Sequence, residues 1–104
     1  MAHTKFLFAC KRSDVEPGCV RAFELEGHQI AIYNIDEHFY ATDDICTHGL
    51  SSLSTGELEG ETIECAAHFG LFHVPTGKVM GLPCAVPLRT YRVAQREEGV
   101  FVEV

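Results

Sequence analysis

Apolar and polar positions alternate over short runs along most of this chain. Lys5 to Cys10 is short and apolar, and Cys19 to Leu25 alternates, with Cys19, Arg21 and Phe23 on one parity. His28 to Tyr33 carries Ile30, Ile32 and Tyr33, and His38 to Thr42 returns with Phe39 and Tyr40 after a hairpin turn at Asn34-Ile35-Asp36-Glu37. Thr90 to Gln95 and Val100 to Val104 flank a second turn, Arg96-Glu97-Glu98-Gly99. Earlier turns fall at Glu16-Pro17-Gly18 and Glu26-Gly27, where Pro and Gly set the backbone angles. Short runs rich in β-branched and aromatic residues, bounded by turn signals, predict an all-β fold, an antiparallel sandwich or small barrel. Two helix candidates, Ser13 to Glu16 and Ser54 to Leu58, are too short to be more than turns.

The stretch from Asp43 to Leu88 departs from this pattern. It holds six of the nine glycines, three of the four prolines and three of the five cysteines. It reads as looped structure grafted onto a β scaffold, and loops on rigid scaffolds are where chemistry concentrates. With 104 residues, 46% of them apolar, the chain fits one small folded domain, 1–104, in which a bound metal centre would add stability.

Two matched pieces lie inside the stretch, Cys46-Thr47-His48 and Cys65-Ala66-Ala67-His68, with sixteen residues between them. Each offers one thiolate and one imidazole from a single tight loop. Gly49 and Gly70 allow close backbone approach, where N–H groups can point at sulfur. Two such loops could hold one tetrahedral zinc ion. They could also hold a [2Fe–2S] cluster with two cysteines on one iron and two histidines on the other. Zinc sites usually group like ligands, whereas here each loop mixes one Cys and one His. That mixture suits a two-metal cluster.

The pattern C-x-H, sixteen residues, C-x-x-H resembles the Rieske-type iron–sulfur proteins. Leu53, Gly56 and Gly60 fall where that family has a leucine and two glycines. Phe72 with Thr76-Gly77, then Pro83 and Pro87-Leu88, resemble the segments that follow its second half. Ala66 and Phe69 depart from the Pro and Gly common there; Phe69 could shield the cluster or face a partner. The resemblance implies a Rieske-like fold, an antiparallel β-sandwich or barrel with an inserted, loop-rich cluster-binding subdomain at about 43–88. It implies one [2Fe–2S] cluster ligated by Cys46, His48, Cys65 and His68. It also implies an exposed edge at His48 and His68 as the exit for electrons.

Within the family, Ser51 and Ala67 stand where respiratory members carry cysteines that pair in a disulfide, and Gly70 stands where they have a hydrogen-bonding serine. The likeness is therefore to the Rieske ferredoxins of bacterial ring-hydroxylating dioxygenase systems, with a potential toward the low end of the Rieske range. Such a protein is no enzyme. It carries single electrons from an NAD(P)H-dependent flavin reductase to a terminal aromatic-ring-hydroxylating oxygenase, with monomer as the default state. The chain's short extent after its last strand agrees with a carrier, where an oxygenase subunit would need a catalytic domain. A zinc-stabilised interaction module and the small subunit of an assimilatory nitrite reductase are the alternatives.

Charge narrows the partners. A formal net charge of −7 opposes nucleic acid and anionic membrane surfaces and suits a basic patch on another protein, or only solubility. No signal peptide or membrane span is evident, and five cysteines without a secretion signal favour ligands or thiols over disulfides, so a soluble cytoplasmic protein is expected. Cys10, Cys19 and Cys84 read as ordinary buried or semi-buried thiols. His3, His28, His38 and His73 read as surface or strand histidines. Asp43 and Asp44 read as a solvated polar turn in preference to a docking or ligand-supporting pair.

Overall fold

The computed structural model describes residues 5–47, 51–66, 70–81 and 86–104. Eleven strands in that description form three antiparallel sheets. β1 (Phe6–Cys10), β10 (Val93–Arg96) and β11 (Gly99–Glu103) make a three-stranded sheet in the order β1-β11-β10. β2 (Val20–Leu25), β3 (His28–Ile35), β4 (His38–Asp43) and β9 (Thr90–Tyr91) make the second, in sequence order. β5 (Glu57–Glu59), β6 (Thr62–Glu64), β7 (Leu71–His73) and β8 (Val79–Gly81) make the third. The expected all-β architecture is the one observed.

The two hairpins of the second sheet turn as the sequence suggests. Glu26-Gly27 joins β2 to β3 with positive φ at both residues, the geometry that follows the strand twist. Asp36 and Glu37 do the same between β3 and β4 without a glycine. Buried Asn34 supports that turn, its Oδ1 accepting the Glu37 N–H at 2.8 Å and its Nδ2 donating to the Val15 carbonyl at 2.8 Å.

Two corrections concern strand extents. The run from Thr90 to Gln95 is not one strand, because it leaves the second sheet after Tyr91 and enters the first at Val93. The stretch 43–88 is not simply looped, since β5 to β8 give it a sheet of three-residue strands. The helix candidates reduce to 3-10 turns at Arg12–Asp14 and Leu53–Thr55.

β3 is the wall shared by two apolar cores. Ile30 and Ile32 face a core with Val15, Phe39, Val100 and Val102, between the first two sheets. Ala31 and Tyr33, on the opposite parity, face a second core with Cys46, Leu53, Ile63, Cys65, Phe72, Val74 and Leu88. Side chains alternate across a strand, so one strand can close both. Each large apolar side chain buried in this way contributes about 1.5–3 kcal/mol.

Candidate metal centre

Both sequence-predicted cysteines lie in the second core. Cys46 is 2% exposed and Cys65 is 0% exposed. After β4 the chain runs on through Asp44 and Ile45, and Ile45 bridges antiparallel to Ser52. The Cys46 N–H then donates to the Ser51 carbonyl at 2.9 Å. Between β6 and β7, the Cys65 N–H donates to the Gly70 carbonyl at 2.8 Å. Each cysteine therefore stands at the mouth of a loop closed by a backbone bond to the fifth residue onward. The two loops repeat one construction, and each carries the Cys-His spacing read from the sequence. His48 and His68 lie outside the described residues, as do Gly49, Ala67, Phe69, Pro83, Cys84 and His3.

The positions that resemble family residues have structural work here. Leu53 and Phe72, fully buried, line the second core. Gly56 follows the Leu53–Thr55 turn, and a Cβ there would stand 1.9 Å from the Glu64 carbonyl oxygen, one residue before Cys65. Gly77 (φ +75°) lies against the Leu88 backbone, where a Cβ would meet the carbonyl oxygen at 2.4 Å. The Gly77 carbonyl accepts the Leu88 N–H at 2.8 Å, docking the β7–β8 turn onto the segment that closes the core. The Thr47 hydroxyl donates to the Val86 carbonyl at 2.7 Å, tying the first loop to that segment.

The pair Asp43-Asp44 is not a solvated turn. The Tyr91 hydroxyl donates to half-buried Asp43 at 2.5 Å, and burial, then this bond, push the Tyr91 pKa up to about 12. Asp44 is buried at 3% exposure. Cys10 is buried as expected, whereas Cys19 is exposed in the turn before β2, contrary to the buried or semi-buried expectation. His73 bonds Thr76 at 2.8 Å and Glu61 at 3.2 Å, a structural arrangement across the β7 turn.

Buried sulfurs at the mouths of two matched loops, each followed by a histidine, fit an iron–sulfur centre with two thiolate and two imidazole ligands. A fold of stacked antiparallel sheets carrying such loops defines an iron–sulfur domain. The chain belongs to the Rieske [2Fe–2S] domain family, which matches residues 5–92. It carries a single Rieske-type [2Fe–2S] cluster.

Among its relatives, Ferredoxin CarAc of Metapseudomonas resinovorans is 44% identical over 93% of this chain and 92% of its own length. The ferredoxin component of the p-cumate 2,3-dioxygenase system of Pseudomonas putida is 42% identical over 97% of this chain and 87% of its own length. A solved complex of reduced oxygenase and oxidised ferredoxin in carbazole 1,9a-dioxygenase contains a chain that is 44% identical to this one. It superposes with a TM-score of 0.88, covering 93% of this chain and 91% of that one. These relatives are named as ferredoxins or ferredoxin components, and the chain is of that non-catalytic kind. A putative nitrite reductase small subunit, 24% identical with a TM-score of 0.80 over 94% and 97% of the two chains, shares the fold. Among the described residues no helix is long and apolar enough to cross a membrane.

Proposed function

We propose that this chain is the single-electron carrier of a ring-hydroxylating dioxygenase system. It takes electrons from an NAD(P)H-dependent flavin reductase and delivers them to a terminal oxygenase, with Cys46, His48, Cys65 and His68 as the cluster ligands. The observation that carries the reading is the pair of buried cysteines in identically closed loops, in a chain 42% identical to the ferredoxin component of a dioxygenase system. A bound [2Fe–2S] cluster supplies one-electron chemistry at a modest potential, because two neutral imidazoles replace two thiolates.

The surrounding residues serve that chemistry in separable ways. Leu53, Ile63, Phe72, Val74 and Leu88 keep water from the buried side of both cysteines. The Thr47–Val86 bond fixes the first loop against the closing segment. Charge is unevenly shared: residues 43–88 hold six carboxylates and one cation, Lys78. Glu57, Glu59 and Glu64 line a shallow depression with Thr62 and Leu71 on the β5–β7 face. None of the three pairs with a cation among the described residues. Exposed Ile45 and Val86 flank the first loop. An exposed apolar contact and an acidic face on one small domain suit brief docking on a basic partner, in which charge raises the encounter rate.

The test is electron paramagnetic resonance of the dithionite-reduced protein with iron and sulfide analysis. The expected result is a rhombic signal with an average g value below that of all-cysteine clusters, and product formation when the chain joins a reductase and oxygenase. An all-cysteine signal would overturn the ligand set, and zinc without iron would overturn the carrier function.

A further inference from the structure

Asp44 is a buried carboxylate beside an apolar core, and neutral groups alone hold it. Its Oδ1 accepts the Ser54 N–H at 2.9 Å. Its Oδ2 accepts the Ser52 hydroxyl, which stands 2.7 Å from the Ser54 hydroxyl. The main chain of the same residue is also tied on both sides. Its N–H donates to the Gln29 carbonyl at 2.9 Å, and its carbonyl accepts the Leu53 N–H at 2.6 Å. No cation pairs with it among the described residues. Burying a carboxylate without a counter-charge is costly, and a neutral amide of the same shape could fill the space, its oxygen accepting the Ser54 N–H and its NH2 donating to the Ser52 hydroxyl, which can then donate to the Ser54 hydroxyl. The negative charge therefore calls for a reason beyond packing.

That reason lies two residues along the chain. Cys46 is the second residue after Asp44, and residues two apart are within about 7 Å at Cα. The carboxylate's field reaches into the second core, where it adds to burial in raising the pKa of the Tyr33 phenol. The Ser52 and Ser54 bonds lock the chain before Cys46 to the chain after Ser51, the two limbs of the first loop.

We propose that Asp44 is the positioning residue of the first cluster loop, and that its fixed charge holds the cluster's reduction potential down. The proposal rests on the cluster reading above. Reduction adds one electron and makes the centre more negative by one charge. A nearby carboxylate opposes that added charge, so its neutralisation favours the reduced form.

Midpoint potentials and resonance spectra of the holoprotein at one pH and one ionic strength test this. Asp44→Asn is expected to keep the iron content and g values and to raise the potential. Asp44→Ala is expected to lose iron or broaden the g values. Ser52→Ala keeps the charge and is expected to disturb the g values without raising the potential. An intact Asp44→Asn cluster at the wild-type potential would overturn the charge effect, and an undisturbed Asp44→Ala cluster would overturn the positioning role. If Asp44→Asn takes up no iron, Ser52→Ala and Asp44→Glu decide. Wild-type spectra in Ser52→Ala would then overturn the proposal, whereas shifted g values in both, with iron retained in Asp44→Glu, would support it. A wild-type protein without iron fails the cluster reading itself, before any variant is compared.

Discussion

Gly56→Ala places one methyl group where two backbones meet. The new Cβ would stand 1.9 Å from the Glu64 carbonyl oxygen and 3.1 Å from its carbon. Non-bonded carbon contacts settle near about 3.5 Å, so one backbone must retreat by roughly 1.5 Å. Neither can do so cheaply. Glu64 is held in register with Glu57 across the β5–β6 pair, and the Gly56 N–H donates to the Leu53 carbonyl at 2.9 Å. Overpacking costs about 1–3 kcal/mol, and breaking about two ladder bonds adds about 1 kcal/mol each. A total of about 3–5 kcal/mol is a large part of the roughly 5–15 kcal/mol that holds a small domain together. With a urea dependence of about 1–3 kcal/mol per molar, the unfolding midpoint should fall by about 2 M. Cys65 follows Glu64 directly, so iron per chain should fall as well. The assay is urea unfolding followed by circular dichroism and visible absorption, with iron analysis. The midpoint is the quantity compared, since cluster loss makes unfolding irreversible. Gly60→Asn is the control, because its φ of +59° suits Asn and nothing lies within 4 Å of its Cβ position. A Gly56→Ala protein with full iron and the midpoint of that control would refute the close-approach argument.

Three further outcomes follow from the same geometry. Replacing Glu57, Glu59 and Glu64 by Gln should slow reduction of cationic cytochrome c by about 3–10-fold at low salt and flatten its salt dependence. Removing equal charge at Glu26, Glu97 and Glu98 should do much less, and equal losses would count against the acidic face. Burial, then the Asp14 carboxylate, push the Cys10 thiol from 9.0 up to about 11 against the pull of Arg21. The folded thiol thus keeps its proton where the unfolded one has lost it. The Cys10 contribution to stability should be constant below pH 9 and fall by about 1 kcal/mol per unit up to pH 11; urea titrations in which Cys10→Ala keeps the same slope would reject this. Imidazole ligation couples electron to proton at high pH, so the reduction potential should drop as pH rises through the alkaline range. A potential independent of pH, measured by dye-mediated titration, would speak against His48 and His68.

β3 shows how far residue pattern alone reaches. Its run Ile30 to Tyr33 is apolar at every position, which by itself is compatible with a buried strand or a short helix. Turn signals on both sides select the strand, and burial of both faces explains the lost alternation. The two cysteine-bearing loops were legible for a different reason. Each is closed by a backbone bond between near neighbours, so spacing in the chain carries it into space.

What depends on partners far away in sequence was not legible. Strands of three residues, as in β5 to β8, are too short to show a period, and only pairing with one another makes them a sheet. Arg92 carries the chain from one sheet to another, because two different neighbours, β4 and β11, claim the residues on either side of it. Asp44 reads as solvated until Ser52 and Ser54 fold back onto it. Cys19 reads as semi-buried until its turn is seen to lie open. The sequence by itself determined the longer strand-forming segments, the turns and the two cysteine-bearing loops, each set by backbone preference and near-neighbour spacing. The tertiary structure decided which carboxylate is buried and which glycine is indispensable, because burial and close approach belong to pairs of segments and not to either one alone.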